Sequence, residues 1–236
     1  MKDPRINQAH SICLQQDNVG IKGDVRDIVI EVPKNKIGIS AKYNHTAVKH
    51  CRLSETIDFG KEWADFSCSK EYFKAISSVF GKLRDMKKQG MFFRDIKDKD
   101  TIIYLPILNA FEEELKRLCG SFKDLFVGRL FRYLLGRYDF YKIILKTSGK
   151  IKSVAIQSVN IGGTLDYGPK WKIPDRIHSI NCRNGSLNTI EVIFDGGWNI
   201  SFRLHNASSK VEPSLKFDIQ LVKTPINTGF NSIKIV

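Results

Sequence analysis

The side chains best suited to chemistry are a carboxylate and an ammonium on two neighbouring short strand-like runs. Asp27 stands at the head of Ile28-Val29-Ile30-Glu31-Val32, and Lys42 ends Ile37-Gly38-Ile39-Ser40-Ala41-Lys42. Paired as a hairpin, the two runs bring both groups to one sheet edge. A carboxylate there can hold a divalent cation that polarises a phosphoryl oxygen and lowers the pKa of a water. The lysine then orients that water or takes up developing charge. This combination suits Mg²⁺-assisted hydrolysis of a phosphodiester. Asp24 and the carbonyl of Ala41 are candidate further ligands, whereas Ser40 is a weak magnesium ligand where a second acid is needed. Three carboxylates are open for that role: Glu31, on the strand face of Asp27 by period-two alternation, and Glu55 or Asp58, beyond an expected short helix. The plainer reading of Gly23-Asp24-Val25-Arg26-Asp27 is a polar turn before a strand. Lys42 is what shifts the reading toward a catalytic site.

Two further clusters carry donors suited to nucleic acid. Asn44, His45, Lys49, His50 and Arg52 follow the lysine closely and read as the start of a phosphate-contacting helix, with a histidine available as proton shuttle. A solvated basic helix is the plainer alternative, and a histidine-metal site lacks a third partner. Farther on, Arg203, His205, Asn206 and Lys210 are side chains able to read base edges, and Ser208 and Ser209 can bond phosphates. An ordinary strand end with a polar loop has the same composition.

The chain that must position these groups has 236 residues, 42% of them hydrophobic, enough for a packed core. Its 38 Lys+Arg against 25 Asp+Glu, a formal charge of +13, favour a polyanionic partner. Cys13, Cys51, Cys68, Cys119 and Cys182 form no CxxC pair, which argues against a zinc ribbon or disulfide framework and fits a cytoplasmic protein. Neither a signal peptide nor a membrane span is expected.

Ile6, Ala9, Cys13 and Leu14 predict an amphipathic helix over 5–17. Ile76, Val79, Phe80 and Leu83 predict a second over 69–89, with Ser69 as N-cap and Gly90 as stop. Further helices are expected over 106–120 and 122–135. Beyond Gly136, β-branched and aromatic runs predict strands over 141–147, 152–158, 176–182, 189–194, 198–205 and 215–222.

With those residues in view, the chain resembles the HaeIII family of type II restriction endonucleases. The likeness rests on Gly23-Asp24-Val25-Arg26-Asp27 and its strand, on Ile39-Ser40-Ala41-Lys42 through Arg52-Leu53-Ser54 and Asp58-Phe59-Gly60, and on Phe202 to Ser209 through Ser214-Leu215-Lys216-Phe217-Asp218. It implies an α/β (α+β) fold with a PD-(D/E)XK core, a helical middle and a strand-rich C-terminal half. One domain over 1–236 is expected, with a catalytic hairpin region at 1–65, a helical region at 66–136 and a DNA-recognition region at 137–236. The implied activity is Mg²⁺-dependent double-strand cleavage at a short palindrome, GGCC being the family's type site. A two-fold homodimer on double-stranded DNA and a separately encoded cytosine methyltransferase are the implied partners. Asp27, Ser40, Lys42 and Glu55 are the expected catalytic set. Such enzymes carry a helical region ahead of the Gly23 stretch, which only residues 1–22 precede here, so a truncated relative is expected. The competing expectations are a DNA-binding protein without catalysis and an RNA-processing nuclease on the same core.

Overall fold

The computed structural model describes residues 3–16, 24–44, 46–148, 151–225 and 230–235. The chain divides into two compact units that interleave along the sequence. Residues 1–46, 132–173 and 224–236 make the first, and 47–131 with 174–223 the second.

The first unit is built on a six-stranded sheet in the order β1-β2-β3-β5-β6-β11. These strands are β1 (Ser11–Leu14), β2 (Ile28–Val32), β3 (Asn35–Tyr43), β5 (Phe140–Ser148), β6 (Ile151–Val159) and β11 (Phe230–Ile235). The expected hairpin is present as β2–β3, in antiparallel register Ile28↔Ile39 through Val32↔Asn35. Its turn follows from chemistry: Pro33 presets its own φ, and Lys34 accepts φ 64°. β3 runs parallel to β5, with Ser40↔Lys142 and Lys42↔Ile144. A parallel pair needs a long crossover, and here residues 47–131 of the second unit lie within it. One face of this sheet is a small apolar core of Ile30, Val32, Ile37, Tyr141 and Leu165, with Ile28, Ile39, Ile156 and Tyr167 packed on it.

The helix expected over 5–17 does not form. Pro4–Gln8 is a short 3₁₀ turn capped by Asp3, and Ser11–Leu14 is strand β1 on the edge of β2. The apolar stripe that suggested a helix is not buried, since Ile6 is 39% and Leu14 81% exposed and Cys13 is exposed too. Pairing with β2 gives the backbone the hydrogen bonds that a helix without a packing face could not hold in competition.

The second unit carries a five-stranded antiparallel sheet in the order β4-β10-β9-β8-β7. Its strands are β4 (Ala47–Leu53), β7 (Ile177–Cys182), β8 (Thr189–Phe194), β9 (Asn199–His205) and β10 (Leu215–Lys223). Three helices belong to it wholly or largely: α1 (Phe59–Ala64), α2 (Lys70–Lys88) and α3 (Leu105–Leu135), the last continuing into the first unit. A run of π-helix over Asp100–Tyr104 leads into α3. The two helices expected over 106–120 and 122–135 are one run interrupted at Lys123, whose φ and ψ of 46° and −130° break the helical path. α2 matches its expectation, with the Ser69 hydroxyl accepting from Tyr72 N and Gly90 at φ 70° beyond its end.

Helix and sheet meet through aromatic rings. Phe111 packs against Phe59, Trp63, Phe202 and Phe217 at centroid distances of 4.7, 5.8, 5.5 and 4.8 Å. Phe131 packs edge-on to Phe194 and Trp198. Burying each such side chain contributes about 1.5–3 kcal/mol.

The helix start expected after Lys42 is also overturned, because Ala47–Leu53 is strand β4 in antiparallel register with β10, His50 opposite Asp218. From Lys49 to Leu53 buried and exposed residues alternate, a period-two signal that the basic composition disguised.

Candidate functional site

Asp27 precedes β2, and its amide donates to Ile39 O on β3, which draws the side chain over that strand. One carboxylate oxygen, Oδ2, accepts from Ala41 N at 2.6 Å and from the Ser40 hydroxyl at 3.1 Å, and lies 3.5 Å from Lys42 Nζ. Asp27, Ser40, Ala41 and Lys42 therefore come together at one end of the hairpin, as their spacing predicts. The Asp27 side chain is 47% exposed, and no donor among the described residues bonds its Oδ1. Ser40 itself is buried, with its hydroxyl turned to Asp27.

Asp24 is placed differently. It is buried, and both of its oxygens accept from Arg26, Oδ1 from Nε at 2.8 Å and Oδ2 from Nη2 at 2.7 Å. Arg26 in turn lies over the Tyr138 ring and against Gly38, where an added Cβ would meet its Cδ at 2.2 Å. Gly38 thus allows the arginine to cross the strand and hold Asp24.

The three carboxylates considered as the further acid are engaged elsewhere. Glu31 pairs with Lys36 at 2.7 Å and accepts from the Ser11 hydroxyl, and these partners, Lys36 first, hold its carboxyl below the usual range. Glu55 forms an ion pair with Arg84 inside the second unit. Asp58 caps α1, accepting from Lys61 N and also from Cys68 N. Among the described residues no three His, Cys, Asp or Glu side chains are grouped to hold a metal ion. The unengaged edge of the Asp27 carboxylate fits a hard divalent cation of the kind that keeps several waters and takes substrate phosphate oxygens alongside one or two carboxylates.

Lys142 is a group that sequence reasoning missed. The β3–β5 register sets it beside Ser40 on the Lys42 face of the sheet. It is buried, and its Nζ donates to Thr46 O at 2.5 Å. Burial, aided by the nearby Lys42 charge, pushes it down to about 8. The only sequence signal was a lysine inside the apolar run Phe140–Leu145, and the parallel partner that gives it meaning is far away in the chain.

The remaining candidates separate by role. His45 lies outside the described residues, as does Gly23. Asn44 closes the end of β3, at φ 54°, with Oδ1 accepting from Thr147 N at 2.8 Å. Lys49 is only 6% exposed, on the β4 face shared with Cys51 and Leu53. His50 and Arg52 are on the opposite, exposed face, with Arg52 near the Ser214 hydroxyl.

On that outer face of the second unit, Arg203 donates from Nη2 to Asp218 Oδ2 at 2.7 Å, and His50 Nδ1 lies 2.6 Å from Oδ1. His205 Nε2 approaches the same oxygen at 3.1 Å, with an angle too poor for a proper hydrogen bond. Burial opposes ionisation of Asp218, yet the Arg203 hydrogen bond and the adjacent His205 and His50 hold its carboxyl below the usual range. The loop after β9 is folded on itself. Asn206 Nδ2 donates to Ser208 O and to Lys210 O, Lys210 N donates to the Ser208 hydroxyl, and Ser209 O accepts from Phe93 N. The amide hydrogens of Asn206 are therefore committed to loop closure. An open cavity of about 380 Å³ adjoins the loop, lined by Phe92, Arg94, Lys99 and Tyr104 together with His205 and Ser209.

Comparison with known proteins gives two findings. The sequence profile described as HaeIII restriction endonuclease matches residues 1–225. The type II restriction enzyme HaeIII of Haemophilus aegyptius is 41% identical over 231 residues, covering 93% of this chain and 72% of that protein.

Proposed function

This chain belongs to the HaeIII restriction endonuclease family and is a restriction endonuclease, a hydrolase acting on DNA, and we propose on that premise that it makes Mg²⁺-dependent double-strand cuts at a short palindrome, GGCC by family analogy. The hairpin β2–β3 with its parallel neighbour β5 would be the PD-(D/E)XK core. The observation that carries this reading is the convergence of Asp27, Ser40 and Lys42 at one end of the hairpin.

In this reading Asp27, with the Ala41 carbonyl, would hold the cation, which when bound would supply positive charge at the scissile phosphate. The Ser40 hydroxyl and the Ala41 amide keep the Asp27 carboxylate turned to its task. Lys42 orients the attacking water for in-line displacement and offsets charge on the phosphate. Lys142 holds the Thr46 backbone and fixes the strand on which Lys42 stands. Asp24, tied to Arg26, supports the site rather than binding the cation. His50, Arg52, Arg203 and His205 contact the duplex from the second unit, the first two mainly at phosphates. A palindromic target would be met by a two-fold homodimer. A separately encoded cytosine methyltransferase would protect the host's own sites, and the protein would work in the cytoplasm. No helix among the described residues is long and apolar enough to cross a membrane.

The test is digestion of duplex DNA of known sequence in Mg²⁺ and in chelator, with mapping of the ends. Discrete fragments in Mg²⁺ alone are expected. Salt-sensitive retention of duplex without cutting under either condition would instead support a binding protein that has lost catalysis. That rival draws on the absence of a three-carboxylate cluster among the described residues.

A further inference from the structure

The outer face of the second unit's sheet holds an acid where the reading above calls for cations and donors. On a face meant for a polyanion, a carboxylate opposes binding unless it does something a neutral residue cannot. Asp218 occupies the centre of three adjacent strands, in direct register with His50 on β4 and with Arg203 on β9. Its side chain is only 12% exposed, whereas those of His50 and Arg203 are 52% and 53% exposed. The acid is thus recessed beneath its neighbours, with Oδ2 hydrogen-bonded by Arg203 and Oδ1 close to the His50 and His205 rings.

We propose that Asp218 is a positioning residue for sequence discrimination: its recessed carboxylate locks Arg203 in the orientation in which it reads base-pair edges of duplex DNA. The inference rests on the reading that this face contacts the target. An arginine reads guanine through two coplanar N–H groups aimed at O6 and N7. A long exposed side chain reaches that geometry only transiently unless one side of its guanidinium is held. The Nη2–Oδ2 bond of 2.7 Å holds that side and leaves other N–H groups to reach outward. At Oδ1 the nearby His50 and His205 rings make no proper hydrogen bond, so the Arg203 bond is the one that fixes a partner's orientation. A metal on the same carboxylate is opposed by the bound guanidinium, in keeping with the lack of a metal-binding group among the described residues.

The test compares wild type, Asp218→Asn, Arg203→Lys and the double variant on the mapped site and on duplexes with one substituted base pair each. For Asp218→Asn, the ratio of kcat/KM at the mapped site to that at substituted sites should fall about tenfold or more at the position Arg203 reads. The double variant should discriminate no worse than Arg203→Lys alone, because Asp218 acts through that arginine. An unchanged ratio, a uniform loss on every duplex, or effects that add in the double variant would each overturn the proposal. Should Asp218→Asn fail to fold, Asp218→Glu keeps the charge but displaces the oxygens, and an unchanged ratio there overturns it equally. Failure of the wild type to cut at any defined site would instead strike the function proposed above.

Discussion

One oxygen of Asp27 is committed to its own hairpin, where Ser40 and Ala41 donate to it, and the other accepts from no donor among the described residues. A single carboxylate with one lysine therefore carries the weight of the proposed site. Asp27→Asn and Lys42→Ala should each lower cleavage of supercoiled plasmid by about 10²-fold or more, while salt-sensitive retention of duplex changes little. Either variant cutting at the wild-type rate would sink the assignment. Lys142 offers a second check at this scale. Its folded value near 8 lies below the ordinary 10.5, so above pH 8 the folded state releases a proton that the unfolded chain still holds. This group's contribution to stability therefore rises with pH between about 8 and 10.5. Denaturant melts of wild type and Lys142→Met from pH 7 to 10 should show the difference moving in favour of wild type as pH rises.

Among the elements, α2 owes its start to an arrangement wider than a simple cap. Ser69 accepts from Tyr72 N, while its own amide and hydroxyl donate to the two oxygens of Glu114 on α3 at 2.8 and 2.6 Å. Arg117 completes the set at 2.6 Å. Ser69→Ala should cost about 1–2 kcal/mol in chemical denaturation, the upper part of the range for a cap because Glu114 also loses a partner. The aromatic layer between helix and sheet is a larger determinant. Phe111 is fully buried among four rings, so Phe111→Ala should lose about 3–5 kcal/mol, read as a lowered denaturation midpoint. Where the strands β1 and β4 replaced expected helices, the reason was the same in both. An edge of an existing sheet supplied backbone partners, and neither the apolar spacing over 5–17 nor the basic composition after Lys42 could outweigh them.

For the molecule as a whole, the dominant quantity is the formal charge of +13. Association with duplex should weaken linearly on a log–log plot against salt, with a slope of about −0.9 for each phosphate contacted. Fluorescence anisotropy on a labelled duplex across a salt series measures it, and a flat response would count against phosphate contacts. The two units divide the labour proposed here, since the Asp27 site belongs to the first and the Asp218 cluster to the second. Variants of Arg203 should accordingly alter which sequences are cut before they alter the metal requirement.

The sequence alone was enough for the pairing of Asp27 with Lys42, the family, the α2 helix with its Ser69 cap, and six of the strands in the C-terminal half. These depend on local periodicity, on turn chemistry and on groups separated by one hairpin. Only the tertiary structure decided that Lys142 stands beside Ser40, that Asp24 belongs to Arg26, that Lys49 points inward, and that Asp218 gathers His50 and Arg203. Each of those relations is made across strands distant in the chain or by competition among partners for one carboxylate. Strand registry and burial settle such contests, and neither is written in the spacing of nearby residues.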